Sequence, residues 1–196
     1  MTDVIENLSP ALWPLDHPRD QIPVRGFRPD ATVIPRQMAA VLIPIILRQS
    51  EPTILFTHRS EALSVHAGQV SFPGGKVETS DADAIAAALR ETWEEVGIAA
   101  KWVQPVGLLD FYDTITDFRI LPVVGLVDES AAIQAEGSEV ASIFEVKLDD
   151  LRREDRYQKH SVSMLGQNHH YYAYKHDEYL IWGATAAMLR NLIHRM

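Results

Sequence analysis

The stretch "RETWEEVG" at residues 90–97 crowds three carboxylates, Glu91, Glu94 and Glu95, beside one arginine, Arg90. In a helix each residue advances about 100°, so Glu91 and Glu95 lie about 40° apart and Glu94 about 60° to the other side. All three are expected on one side, roughly opposite an apolar stripe of Ile85, Leu89, Thr92 and Val96. Each like-charged pair costs roughly 0.2–0.5 kcal/mol in an isolated helix, and Arg90 offsets only part of that. Two readings follow. One is a solvated acidic face, a common feature of surface helices. The other is a seat for a hard divalent cation such as Mg²⁺, which takes oxygen ligands and often shares them with substrate phosphates. Upstream, Gly74–Gly75 would let backbone approach a metal or a phosphate closely.

The elements around these residues read as a mixed α/β (α+β) fold. Residues 83–96 form the acidic helix, with Ser80, Asp81 and Asp83 as N-cap candidates and Gly97 as its stop. Strands are expected at "AAVLIPIILR", "TILFTHRS", "WVQPVGLLDFYDT", "DFRILPVVGLVD" and "SIFEVKL". "GQVSFPGG" reads as a short strand ending in a glycine turn, "DDLRRE" as a short helix, and "HSVSML" and "HHYYAYKH" as a hairpin around "GQN". "TAAMLRNLIHRM" closes the chain as a helix. Strands with helices in mixed order point to a sandwich around a mixed sheet. Residues 1–37 hold six of the eleven prolines and are expected to form an arm or irregular cap on the domain of residues 38–196, or on a partner subunit.

Composition limits the function classes. At 196 residues, 46% hydrophobic and 23% charged, the chain suits one globular domain. The net charge of −9 argues against a nucleic-acid partner held by bulk charge. With no cysteine, thiolate metal sites, disulfides and cysteine nucleophiles are excluded. The first twenty residues do not resemble a secretory signal, and the longest apolar run is too short to span a bilayer. A cytoplasmic protein without a membrane partner is the expectation.

The order Gly75, Asp81, Arg90, Glu91, Glu94, Glu95, Gly97 resembles the signature of the Nudix hydrolases. That signature has one residue fewer between its acid and its arginine, and usually Glu rather than Asp at the acid. The resemblance implies an α/β/α sandwich with a catalytic loop–helix–loop. It also implies Mg²⁺ or Mn²⁺ on Glu91, Glu94, Glu95 and the Gly75 carbonyl, and an Arg90 that holds a neighbouring glutamate. One of the three glutamates would orient or deprotonate the attacking water.

The preceding "LFTHRSEALSVHAGQVSFPGG" resembles the extra motif of the coenzyme A diphosphatase branch, through Leu55, Thr57, Arg59, Ser60, His66, Gly68, Gln69, Phe72, Pro73, Gly74 and Gly75. With the C-terminal half, the resemblance spans roughly residues 38–190. It implies hydrolysis of coenzyme A or a derivative, a small-molecule substrate, to 3′,5′-ADP and 4′-phosphopantetheine. Arg59, Ser60, His66, Gly68, Gln69 and Phe72 become substrate-binding candidates. Ser64 stands where the branch usually has Arg, which favours a rival substrate such as ADP-ribose. A non-catalytic Nudix-fold binding module is a further alternative.

Several residues carry two readings. Arg59 is the candidate for the 3′-phosphate of coenzyme A, or else a salt-bridge partner within the domain. Glu139 is either a further metal ligand or a surface carboxylate, and His66 either a phosphate contact or a hydrogen-bonded structural residue. His169–His170 are not expected to share a metal, since adjacent strand residues face opposite ways. Trp182 is expected in the core, and Tyr171, Tyr172 and Tyr174 in sheet packing or on an adenine. A homodimer is allowed.

Overall fold

The computed structural model describes residues 8–26, 37–164 and 167–196. In chain order the strands are β1 (Val24–Gly26), β2 (Gln37–Ile46), β3 (Thr53–Arg59), β4 (Val70–Ser71), β5 (Gly74–Lys76), β6 (Val103–Leu108), β7 (Phe111–Asp113), β8 (Phe118–Val127), β9 (Val140–Lys147), β10 (Tyr157–Met164), β11 (Gln167–His176) and β12 (Tyr179–Trp182). The helices are α1 (Ala84–Val96), α2 (Leu148–Leu151) and α3 (Gly183–Ile193). Among the described residues, nine strands make one mixed sheet along the path β1-β7-β8-β2-β3-β4, with β5 on β2, β6 on β8 and β9 on β3. β10, β11 and β12 form a separate antiparallel sheet.

The centre is the parallel pair β2–β8, in register from Gln37↔Phe118 to Ile46↔Val127. Both faces of this pair are covered, so its sequence is almost continuously apolar, and alternation sorts the side chains. Ala40, Leu42 and Ile46 of β2, with Leu121, Val123 and Val127 of β8, pack with Ala87, Ala88 and Val96 of α1. Val41, Ile43 and Ile45, with Val124 and Leu126, pack with Met188, Leu189 and Leu192 of α3. Burying each such Leu, Ile or Val stabilises the fold by about 1.5–3 kcal/mol. The α/β class is therefore as expected, with a helix on each face of a mixed sheet.

Three local readings change. Gly74–Gly75 is not a turn but lies within β5, paired Ala40↔Gly75 and Val41↔Gly74. β1 and β12 were not anticipated. Trp182 is 40% exposed rather than in the core, because β12 alternates and turns Ile181 inward while Leu180 and Trp182 face out. In the hairpin expected around "GQN", residues 165–166 lie outside the described residues. No described helix is long and apolar enough to cross a membrane.

Residues 8–26 lie on this body. Leu8, Leu12 and Ile22 are buried, Trp13 bridges Leu108, and β1 runs parallel to β7. The anchor is Asp110, 3% exposed, which accepts from Trp13 Nε1 at 2.9 Å, Asn191 Nδ2 at 3.2 Å, Arg25 and Arg195. One carboxylate thus ties the N-terminal segment, the β6–β7 corner and the end of the chain. Burial pushes its pKa up, but the four donors more than reverse that and hold it at about 2.

A depressed carboxylate stabilises the fold above its unfolded pKa, about 3.9, and loses that contribution as pH falls through its folded value. Asp110→Ala is expected to lower stability at neutral pH by roughly 3–5 kcal/mol, since it leaves guanidinium partners uncompensated. In urea titrations the gap between variant and wild type should narrow as pH drops from about 4 towards about 2. A gap independent of pH would show that Asp110 is not the ionised anchor.

Candidate active site

Helix α1 starts where the Asp83 side chain accepts the Ala86 N–H at 2.8 Å. It stops at Gly97, whose φ of 71° suits a residue without Cβ and whose N–H reaches the Trp93 carbonyl at 3.0 Å. Its buried residues are Ala87, Ala88, Thr92, Glu95 and Val96. Glu95 is therefore not opposite the apolar stripe with its fellows. It is 7% exposed, on the same face as Ala88 and Thr92, whereas the Glu91 and Glu94 side chains are 18% and 46% exposed.

β5 runs beneath the glutamates. The Gly74 N–H donates to Glu95 Oε2 at 3.2 Å. A Cβ on Gly75 would fall 2.5 Å from the Glu91 carboxyl, and one on Gly74 2.4 Å from the Ala40 carbonyl. At Gly74 an added side chain would meet backbone and does not fit, and at Gly75 it would push the Glu91 carboxyl aside.

Arg90 gathers the exposed side of the cluster. It donates to Asp81 Oδ1 at 2.9 Å and Oδ2 at 3.0 Å, to Glu91 Oε1 at 2.9 Å, to Glu94 Oε2 at 3.0 Å and to the Lys76 carbonyl at 3.2 Å. Asp81 also accepts the Glu78 N–H at 2.8 Å. Its place is thus to fix Arg90 rather than to cap the helix, and the hydrogen bond from Arg90 holds its pKa below the ordinary value. Helical periodicity carried no signal for that contact, because Asp81 lies in the loop before the helix; only the resemblance set Asp81 and Arg90 in one signature.

The buried end of the cluster meets the motif that precedes β5. Arg59, at the end of β3, donates to Glu139 Oε2 at 3.1 Å and lies 3.6 Å from Glu95 Oε1. Backbone bonds lock this corner: the Arg59 N–H donates to Gln69 O at 2.9 Å and the Ser60 N–H to Glu139 O at 2.8 Å. Burial raises the Glu91 pKa against the pull of Arg90. Burial also pushes Glu95 up to about 7, helped by the charges of Glu91 and Glu139 and opposed by the Gly74 N–H and Arg59.

The fold thus brings together Glu91, Glu94, Glu95, Arg90, Gly75, Arg59 and Glu139. It does not bring Phe72, which is 2% exposed and stacks on Phe56 at 5.1 Å. Val70 and Phe72 point from the motif into the core, so Phe72 is a packing residue rather than a substrate contact. Ser60 Oγ accepts the Ala62 N–H at 3.3 Å in a local turn. His66 bonds Gln69 Oε1 through Nδ1 at 2.9 Å, and the Gly68 carbonyl is 3.1 Å from His58 Nε2. These bonds shape the loop that walls the cluster.

The profile of the NUDIX domain matches residues 36–166. The chain belongs to the Nudix family. It is 43% identical to the "Uncharacterized Nudix hydrolase NudL" of Citrobacter koseri over 157 residues, 80% of this chain and 81% of that one. It is 41% identical to the protein of the same name from Escherichia coli, again over 80% of this chain and 81% of the relative. The crystal structure of DR0079 from Deinococcus radiodurans shares the fold with a TM-score of 0.52 at 12% identity, over 84% of this chain and 88% of that one.

Nudix hydrolases use divalent cations, and the donor set here fits one. Every donor is oxygen, the kind that Mg²⁺ and Mn²⁺ select, and burial first, then neighbouring carboxylates, raise the Glu91 and Glu95 pKa values. Among the described residues no three such side chains form a ready-made cage, and Arg90 and Arg59 engage the glutamates. A cation that binds only the folded chain stabilises it by mass action. Millimolar Mg²⁺ or Mn²⁺ should therefore raise the melting temperature, and this rise should shrink in Glu91→Gln and in Gly75→Ala, where the added methyl displaces the Glu91 carboxyl. Equal metal responses in all three proteins would place the cation elsewhere.

Proposed function

We propose that this Nudix hydrolase is a metal-dependent diphosphatase of coenzyme A or its derivatives, releasing 3′,5′-ADP and 4′-phosphopantetheine, or the acyl-phosphopantetheine from an acylated substrate. The observation that carries the hydrolytic part is the packing of Glu91 and Glu95 against the Gly74–Gly75 backbone, with Glu94 tied to Glu91 through Arg90. The substrate part rests on the resemblance of residues 55–75 to the coenzyme A motif, and on the contacts that put Arg59 of that motif beside Glu95 and Glu139.

Glu91, Glu94, Glu95 and the Gly75 carbonyl would hold Mg²⁺ or Mn²⁺, with Glu139 as a further ligand. When bound, the metal lowers the pKa of a water and polarises the phosphoryl oxygens. In the reaction, water adds across the P–O–P link: one phosphorus gains the water oxygen, and the other leaves with the bridging oxygen and a proton. Arg90 holds Glu91 and Glu94 in place. Arg59 supplies fixed positive charge where negative charge grows on the diphosphate. Its neighbours are the carboxylates, so its part lies at the diphosphate rather than at the distant 3′-phosphate. His66, Gly68 and Gln69 form the loop that would flank the substrate.

The second reading is a diphosphatase of another nucleoside diphosphate derivative such as ADP-ribose, favoured by Ser64. The test is hydrolysis of coenzyme A, dephospho-coenzyme A and ADP-ribose with Mg²⁺ or Mn²⁺, with products identified by mass. Coenzyme A should give the highest kcat/KM. Glu94→Gln and Glu95→Gln should each lower kcat at least ~100-fold, about 2.7 kcal/mol of barrier. Arg59→Ala should lower kcat/KM for all three substrates alike. ADP-ribose turned over as well as coenzyme A would reject the substrate assignment, and near wild-type turnover in both glutamine variants would reject the site.

A further inference from the structure

A second cleft, of about 390 Å³, opens where the C-terminal half of α3 meets β11, the edge strand β1 and its neighbour β7. Tyr112 and Tyr172 on its wall pack with the α3-side cluster, so it lies across the sheet from α1. The hydrolysis proposed above makes no use of it. Its volume is that of a small-molecule site.

The lining is rich in donors and poor in acceptors. Arg25, Arg190 and Arg195 line it, and Asp110 is the one acid among the described lining residues. Asp110 is already saturated by its four donors. Glu154, outside the lining, takes Arg190 at 2.9 Å and His194 at 2.7 Å. Among the described residues one guanidinium charge is thus left in excess, on a chain whose net charge is −9. That excess sits at the mouth, where the Arg25 side chain is 61% exposed and joined to Asp110 through Nε. The outer end of its planar fork suits a phosphate oxygen pair. His170 lines the cleft from β11, is exposed, and is bonded to Ser161 Oγ through Nδ1 at 2.9 Å, so that Nε2 is the ring nitrogen without a partner among the described residues. Arg190 covers one face of the Tyr172 ring at 3.6 Å, while Tyr112 and the buried Met188 supply apolar wall.

We infer that this cleft is a second small-molecule site, which takes a phosphate monoester of a planar ring compound, of mononucleotide size. The phosphate sits on Arg25 and His170, and the ring lies against Tyr112 and Met188. The cleft holds no member of the carboxylate cluster, so binding is independent of the divalent cation.

The test is calorimetric titration of the full chain with adenosine 5′-monophosphate in excess chelator, with inorganic phosphate and adenosine as separate probes. The monophosphate should bind saturably at one site, at least about tenfold more tightly than either fragment. Arg25→Ala and His170→Ala should each weaken it by about tenfold or more, the scale of one charge-assisted contact. Glu95→Gln should leave it unchanged. Arg25→Ala also loosens Asp110, so its melting temperature is measured alongside; His170 makes no contact with Asp110, and its variant decides the case by itself. The inference is overturned by an absence of saturable binding, by binding that survives His170→Ala, by inorganic phosphate binding as tightly as the monophosphate, or by binding lost in Glu95→Gln.

Discussion

The functional end of this fold depends on carboxylates held closer together than water alone would keep them. Repulsion within Glu91, Glu94 and Glu95 is contained from two sides. On the outside, Arg90 spreads one guanidinium over Asp81, Glu91, Glu94 and the Lys76 carbonyl. On the inside, the Gly74 N–H and Arg59 meet Glu95. β5 serves both sides: its backbone meets Glu95 at Gly74 and Arg90 at Lys76, and a side chain at Gly75 would push the Glu91 carboxyl aside. The β2–β5 pairing that positions this strand rests in turn on the buried β2–β8 centre. The sheet therefore does more than carry the helix: its register sets the distance between a backbone and a set of charges.

The helix and the central strands were legible because local chemistry and burial agree there. Asp83 caps and Gly97 stops α1, as short polar and Cβ-free residues do, and β2 and β8 are apolar because both of their faces are covered. The burial of Glu95 was not legible. On a helical wheel Glu95 lies about 40° from Glu91 but only about 20° from Ala88, which belongs to the buried face. Alanine gives weak apolar contrast, so the stripe drawn through Ile85, Leu89, Thr92 and Val96 found one flank of the packed face and missed the flank that carries Ala88 and Glu95. Ala87 and Ala88 are in fact fully buried.

Glycine and proline explain most of the other misses. A Gly–Gly pair has low strand propensity, and its β5 assignment comes from tertiary pairing with β2. β1 follows a proline-rich stretch and has three residues, too few for alternation to register; its partner β7 and the Asp110 anchor bring it into the sheet. Phe72 was read as part of a recognition motif because of its company, yet alternation in "VSF" sends Val70 and Phe72 to the same buried face. A motif residue can be needed for where it holds the chain rather than for what it touches.

The two faces of the sheet end in opposite electrostatic conditions. On the α1 side carboxylates exceed the cations that face them, a balance that the proposed divalent ion would complete. On the α3 side Asp110 and Glu154 are satisfied with one guanidinium charge to spare, and an anion completes it. The described β2 and β8 residues between are almost all apolar, so that central pair offers no chain of polar side chains from one condition to the other. Around the outside, salt screens charge over about 8 Å at physiological ionic strength. Any coupling between the faces must then be mechanical, carried by strands whose alternate residues pack on α1 and on α3. The shortest such route is β2, which pairs with β5 beneath the carboxylates and contributes Ile43 and Ile45 to the cluster that supports the second cleft.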